Sequence, residues 1–184
     1  ANVHAIFESA VSGINEITKT SRLEKVEGLG RVIAEYNRLA PPDVLVCFSN
    51  SGNNAATVDM ALAAHEMGLP VIAFTNVEYA SQLTTQHSSG KKLKDIADVV
   101  IDNCSVIGDA AIQLDGLEVK VGATSTIPVV YLLAGLLAQT CENLLEQGIT
   151  PDVYYNGHLA YERDDVKEHN DALVDKYYRR MRNL

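Results

Sequence analysis

The chain has 184 residues and a mass of 20.0 kDa, which fits one domain. Hydrophobic residues make up 47% and charged residues 21%, enough apolar side chain for a core and too much for a disordered chain. Fifteen Lys and Arg against 24 Asp and Glu leave a net charge of -9, which repels nucleic-acid backbone and anionic membrane over most of the surface.

Leu23, Val26, Leu29, Val32, Ile33, Tyr36 and Leu39 recur at intervals of three and four, which predicts one amphipathic helix over residues 22–39. Ser21 is placed to cap it, Glu24 to close a capping box, and Pro41 and Pro42 to stop it. Residues 44–48 (VLVCF) form a continuous apolar run, the pattern of a strand buried on both faces of a parallel sheet. A small polar turn follows, Ser49-Asn50-Ser51-Gly52-Asn53-Asn54, then an Ala-rich helix that ends at Gly68, then a short buried strand over 71–74. Strand, loop, helix and strand make one βαβ unit.

Residues 75–94 are polar and read as a loop, with a short helix over 91–97 leading to a third buried strand over 99–101. Asp115-Gly116 lies between the runs 109–114 and 117–121, which predicts a short antiparallel hairpin over 109–121 at the edge of the parallel sheet. Residues 122–126 (GATST) open the longest helix, with Pro128 in its first turn and Gly148 at its end. Residues 127–138 are apolar nearly all round, so this helix is expected to be the central buried helix or an interface helix. Twelve residues are too few to cross a bilayer. Residues 149–166 read as irregular, and a charged helix over about 167–181 closes the chain.

Cys47, Cys104 and Cys141 match no metal knuckle and no CxxC motif, and read as free thiols in a reducing compartment. The opening residues carry no secretory pattern, so a cytoplasmic protein is expected.

The loop after residue 48 is the sharpest chemical feature. Ser49, Ser51 and Thr57 offer hydroxyls, Gly52 permits tight curvature, and the next helix begins with unpaired N–H groups at its positive end. In an open α/β sheet such a loop lies where ligands bind, and a phosphate would find donors there without a lysine. The plain alternative is a serine-rich turn. Thr124, Ser125 and Thr126 form a second donor cluster, of which capping alone explains one residue. GxxxxGK[ST] and GxGxxG are both absent. Of five histidines, His65 reads as a surface or core-edge residue. His87 and His169 are better placed for acid–base work, with simple surface roles as the alternative. Glu8 and Glu78 are possible general bases. The acidic run 162–165 reads as a solvated loop.

Residues 44–76 (VLVCFSNSGNNAATVDMALAAHEMGLPVIAFTN) resemble the core of the sugar isomerase (SIS) domain, and 121–126 (VGATST) resemble the stretch that opens a long helix in that family. The pieces SRLEKVEG, HSSGKKL, ADVVIDN, GDA, GLEVKVG and EHN agree with one bacterial SIS subfamily, in order and over nearly the whole chain. The resemblance implies a single SIS domain over 1–184. It implies a three-layer α/β/α sandwich with a mainly parallel, flavodoxin-like or Rossmann-like sheet. It implies a phosphosugar held by Ser49, Asn50, Ser51, Gly52 and Asn53, with Ser125 and Thr126 as a second wall. Thr57, Thr124 and His87 complete the candidate set.

Isomerases of this superfamily use a glutamate and a histidine to move a proton between sugar carbons 1 and 2. Glu8 and His169 are the candidates here, although Phe7 stands where relatives tend to carry a histidine. Homodimers or tetramers are implied; no metal or cofactor is. Relatives also place a helix and a first strand, ending in a Gly-Thr-Gly-His-Ser type loop, ahead of this region, and nothing in the chain matches that piece. Two readings follow: a phosphosugar aldose–ketose isomerase, or a non-catalytic phosphosugar-binding, regulatory or structural module.

Overall fold

The computed structural model describes residues 3–9, 11, 16–158 and 163–178. The chain divides into two compact units, one of residues 8–134 and one of residues 1–7 with 135–184.

The first unit is built on three parallel strands in the order β1-β2-β3: Leu45–Phe48, Val71–Thr75 and Val99–Asp102. Leu45 pairs with Val71, and Ile72 with Val99. The apolar runs mark the first two strands, and Val71, Ala73 and Phe74 of β2 are fully buried, but β1 is a sheet edge and not a strand buried on both faces: Leu45 and Cys47 are buried while Phe48 is 47% exposed. Helices flank this sheet. Two of them precede β1, α1 (Ile17–Leu23) and α2 (Leu29–Tyr36). Then α3 (Ala55–Glu66) joins β1 to β2, and α4 (Val77–Gln82) and α5 (Leu93–Ile96) lie between β2 and β3. This is the expected α/β architecture, with the crossover helix of the βαβ unit where the sequence puts it. Small side chains bring α3 close to its neighbours, with Ala55, Ala56, Ala61, Ala63 and Ala64 all buried.

Several expectations need correction. The single helix over 22–39 is broken into α1 and α2 at Gly28, whose φ is +89°. The Gly28 N–H leaves the helical ladder and donates to Asp59 at 2.6 Å. Ser21 therefore lies inside α1, and Glu24 follows its last turn instead of closing a capping box. The strand over 99–101 is not buried: it is a sheet edge, with Val99 51% exposed. The polar loop 75–94 contains α4, started by the Asn76 side chain, which accepts the Tyr79 N–H at 2.7 Å.

The hairpin forms, but as a separate two-stranded sheet. β4 (Ala110–Ile112) pairs antiparallel with β5 (Val121–Ala123), in the register Ala110 with Ala123 and Ile112 with Val121. Leu117 N–H donates to the Leu114 carbonyl around Asp115-Gly116, so the turn is where expected and the ladder starts farther back.

The long helix α6 (Thr126–Glu146) is the 21-residue element predicted from GATST to Gly148. None of its residues is buried, and Tyr131 is 79% exposed, so it is not a central buried helix. Its best 18-residue window has a mean hydropathy of 1.3, which meets a membrane span by length and composition. The fully apolar stretch is only residues 127–138, about 18 Å long against a hydrocarbon core of about 30 Å. Gln139 follows it and donates its side-chain amide to Glu142 and Asn143.

In the second unit, α7 (Val166–Tyr177) is the predicted closing helix. Asn170 acts as a backbone mimic toward the 153–155 segment: its side chain accepts the Tyr155 N–H and donates to the Tyr155 carbonyl, both at 2.9 Å.

Candidate functional site

The loop after β1 is held from three sides. The Asn50 carbonyl accepts the Asn76 N–H at 3.0 Å and the Thr75 hydroxyl at 3.1 Å. Its side-chain oxygen accepts from Asn103 at 3.0 Å and from the Ser105 hydroxyl at 2.9 Å. Asn50 thus ties the loop to the ends of β2 and β3. Gly52 has φ +59°, and a Cβ there would lie 3.2 Å from the Thr75 hydroxyl and 3.3 Å from Leu93 Cβ. Both the left-handed backbone and the close approach favour glycine. The Gly52 carbonyl accepts the Leu93 N–H at 2.8 Å, which fastens the loop to α5.

The serine hydroxyls face the loop's own backbone. Ser49 Oγ accepts the Gly52 N–H at 3.2 Å, and Ser51 Oγ accepts the Asn53 N–H at 3.3 Å. The Gly52 N–H also donates to the Ser49 carbonyl at 3.1 Å, whereas the Asn53 N–H has, among the described residues, only its long bond, which a stronger acceptor can replace. The N–H groups of Ser51 and Asn54 have no hydrogen-bond partner among the described residues. The Ala56 N–H, by contrast, is already taken by the Glu24 carbonyl at 3.0 Å.

Asn53 is buried and its amide forms a clamp. Nδ2 donates to the Thr84 carbonyl at 2.9 Å, and Oδ1 accepts the Gln86 N–H at 3.2 Å. That clamp brings residues 83–86 over the loop. The result is a cleft of about 340 Å³ lined by Lys25, Ser51, Asn53, Asn54, Tyr79 and the 83–86 segment. A larger depression of about 410 Å³ lies along Glu16 and α1, but one stretch of chain lines it and no loop donors converge there.

Of the residues expected to bind ligand, Ser51 and Asn53 line the cleft. Ser49, Asn50 and Gly52 shape the loop behind it. Thr57 lies in the first turn of α3, and its N–H is bonded to the Asn54 carbonyl. His87 is 8% exposed and used internally. Its Nδ1 accepts the Ser89 N–H at 3.0 Å, so Nε2 carries the hydrogen directed at Asp59, 3.1 Å away. Ser88 reinforces this latch by donating its N–H and hydroxyl to Glu27, bonds that hold the Glu27 carboxyl below its ordinary value.

The Thr124–Ser125 donors are directed at Asp109. Its carboxylate accepts the N–H groups of Thr124 and Ser125 at 2.9 and 2.7 Å and the Ser125 hydroxyl at 3.0 Å. Burial pushes the Asp109 carboxyl up, but these bonds outweigh it and hold it below the ordinary value. Thr124 Oγ1 also accepts the Val106 N–H, next to Ser105, so hydrogen bonds link this cluster to Asn50 through residues 105 and 106. Thr126 begins α6.

Glu8 is half-buried in the first unit and His169 belongs to the second. His169 Nε2 donates to the Val153 carbonyl at 2.9 Å, and its ring stacks on Tyr155 with centroids 3.7 Å apart. The Arg163 guanidinium lies 4.3 Å from the Tyr155 ring centre. Glu8 is not among the residues that line the cleft. Glu78 is exposed in the first turn of α4, where a carboxylate suits the helix dipole.

The SIS domain family matches residues 1–76, a stretch that includes β1, the serine loop, α3 and β2. The chain is 36% identical over 173 residues to the UPF0309 protein of Shouchella clausii (strain KSM-K16), covering 94% of this chain and 69% of that one. It is 34% identical over 186 residues to the UPF0309 protein of Caldanaerobacter subterraneus subsp. tengcongensis, covering 100% and 74%. The chain belongs to this UPF0309 family of SIS-domain proteins. A UPF0309 protein of Listeria monocytogenes serotype 4b is 30% identical over 181 residues, covering 98% and 72%.

The SIS-domain loop thus has neighbours that the sequence reading missed: Lys25, Asn54, Tyr79 and residues 83–86. Asn54 was one position beyond the serine motif. Lys25 was hidden because an unbroken helix over 22–39 puts it on a solvated face. Among the described residues, no three His, Cys, Asp or Glu side chains gather as a metal set.

Proposed function

We propose that the protein binds a phosphorylated sugar, with the phosphate on the 51–54 loop at the start of α3 and the sugar along Tyr79 and residues 83–86. The observation that carries this reading is one cleft lined by Ser51, Asn53 and Asn54 at the start of a 12-residue helix, where the N–H groups of Ser51 and Asn54 have no hydrogen-bond partner among the described residues. A phosphate oxygen is also a better acceptor than the serine hydroxyls that the Gly52 and Asn53 N–H groups now reach. Membership of the SIS family supports the same chemistry. The free thiols of Cys47, Cys104 and Cys141 support a reducing, cytoplasmic setting. Burial pushes the Cys47 thiol up to about 12, so that one is inert at neutral pH.

The finer activity, aldose–ketose isomerisation, needs a base within hydrogen-bond reach of the proton on sugar carbon 1 or 2. Glu8 is not among the residues that line the cleft, and within its own unit the His169 ring is engaged with Val153 and Tyr155. The engagement of that ring favours binding, in a sensing or regulatory role, over catalysis by that pair. A homodimer or tetramer is part of the proposal, supported by the exposed apolar side chains of α6.

Calorimetry tests the reading. The panel is hexose 6-phosphates, their 2-amino and N-acetyl forms, and heptose 7-phosphate, with the phosphate-free sugars as controls. Binding is expected only for phosphoesters, and Ser51→Ala is expected to weaken it about tenfold. No binding by any phosphoester, or equal binding in Ser51→Ala, overturns the assignment.

A further inference from the structure

We propose that Lys25 is the charge partner of the ligand's phosphate and makes this cleft select dianionic phosphoesters over monoanionic or neutral sugars. The proposal rests on the phosphosugar reading of the same cleft and adds the residue that sets its charge preference.

The break at Gly28 puts Lys25 in a short connection between α1 and α2, and that connection is fastened to the loop. Glu24, the residue before it, accepts the Ala56 N–H on its carbonyl at 3.0 Å and the Asn54 side-chain amide on its carboxylate at 2.8 Å. The Lys25 N–H donates to the Arg22 carbonyl at 3.2 Å, closing a turn. The backbone of Lys25 is therefore held beside Asn54 and Ala56, and the residue lines the cleft with Ser51 and Asn53.

Its charge is uncommitted. Lys25 makes no ion pair and no side-chain hydrogen bond with any described residue. Several other cations are spent: Arg31 on Glu66, Lys94 on Asp95, Arg163 on Asp165 and Lys167 on Asp171. Lys19, Arg22, Arg38, Lys91 and Lys120 also make no ion pair with a described residue, but none of them lines the cleft. Lys92 is buried and donates to the carbonyls of Ala80 and Leu83 at the end of α4. In a protein of net charge -9, the Lys25 ammonium beside the hydroxyl and amide donors of the cleft attracts an anion, and the Glu24 carboxylate on Asn54 opposes it. Neutral donors contact a sulfate ester and a phosphate ester alike. A point charge distinguishes them, because its attraction scales with the ligand's charge.

The test is calorimetry at pH 8 on the full chain, using the wild type, Lys25→Gln and Lys25→Arg. The probes are glucose 6-phosphate, glucosamine 6-phosphate, heptose 7-phosphate, glucose 6-sulfate and glucose. The wild type is expected to prefer the 6-phosphate over the 6-sulfate by about tenfold, and added salt is expected to narrow that gap. Lys25→Gln is expected to lose roughly tenfold or more for phosphoesters and little for the sulfate. Lys25→Arg is expected to keep most of the preference. If the wild type binds phosphoesters and Lys25→Gln binds them equally well, the Lys25 assignment falls and the cleft reading stands. An equal loss in Lys25→Arg also overturns the charge role. If the wild type binds no phosphoester, both fall together.

Discussion

Asn53 is the residue on which the cleft wall hangs. Its buried amide satisfies the Thr84 carbonyl and the Gln86 N–H at once, so the segment opposite the serine loop is positioned by two bonds from one side chain. Asn53→Ala leaves both backbone groups without that partner in a part-buried place. The expected cost is about 1–3 kcal/mol, read as a lower urea midpoint. Asn53→Asp keeps the acceptor for Gln86, loses the donor to Thr84 and adds a buried negative charge where an anion is to bind. It is expected to weaken phosphoester binding more than Asn53→Ala does. If both variants bind like the wild type, the 83–86 segment is not part of the site. The sequence identified Asn53 as polar and beside a glycine, but not which way its amide turns. His87 shows the same limit: its polar surroundings suggested a functional histidine, yet both ring nitrogens meet partners inside the protein. A side chain's partner across 28 or 31 residues is a tertiary fact that local spacing does not carry.

At the scale of elements, the contact between α2 and α3 positions the start of α3, and two glycines make it possible for different reasons. A Cβ on Gly30 would lie 1.9 Å from the Ala56 carbonyl oxygen and 2.6 Å from Asp59 Cβ. Gly30→Ala must therefore push the helices apart, at a cost of about 3 kcal/mol. Gly28 has open space around it but a φ of +89°, so Gly28→Ala costs only backbone strain, about 1–2 kcal/mol. Urea unfolding of the pair is expected to rank Gly30→Ala as the worse; the reverse order removes the close-packing argument. The βαβ unit was legible because buried parallel strands read as unbroken apolar runs, and α6 because its Gly and Pro punctuation is complete. Three features were not legible. The apolar period of residues 22–39 passes through Gly28 unchanged, so the break is invisible to periodicity. The run VVI reads the same in a central strand as at an edge, and only the sheet order decides its exposure. α4, six residues long, is too short and too polar to show a helical period.

For the whole molecule, the question is what covers α6. A helix of composition IPVVYLLAGLLA would ordinarily be buried, yet Ile127 is 76% and Val130 61% exposed. Exposed apolar faces of this kind mark interaction surfaces, and a second copy of the chain is the partner proposed above. A two-fold interface would bring α6 against its own copy and bury, at the usual size, about 800 Å² per partner. Sedimentation equilibrium of the full chain is expected to give two or four times the 20.0 kDa chain mass. Tyr131→Glu places a charge in the middle of the apolar stretch, on a side chain that no described residue buries. It is expected to lower the assembly mass while leaving the circular dichroism of the dissociated chain helical. Phosphoester binding provides the second readout. The cleft is lined by residues 25–86 of one chain, so its phosphate contacts are expected to survive dissociation, with affinity within about threefold of the wild type. A wild type that sediments at 20.0 kDa rejects the assembly. A Tyr131→Glu variant that dissociates and loses all phosphoester binding keeps the assembly, but shows that the site needs residues from the partner copy.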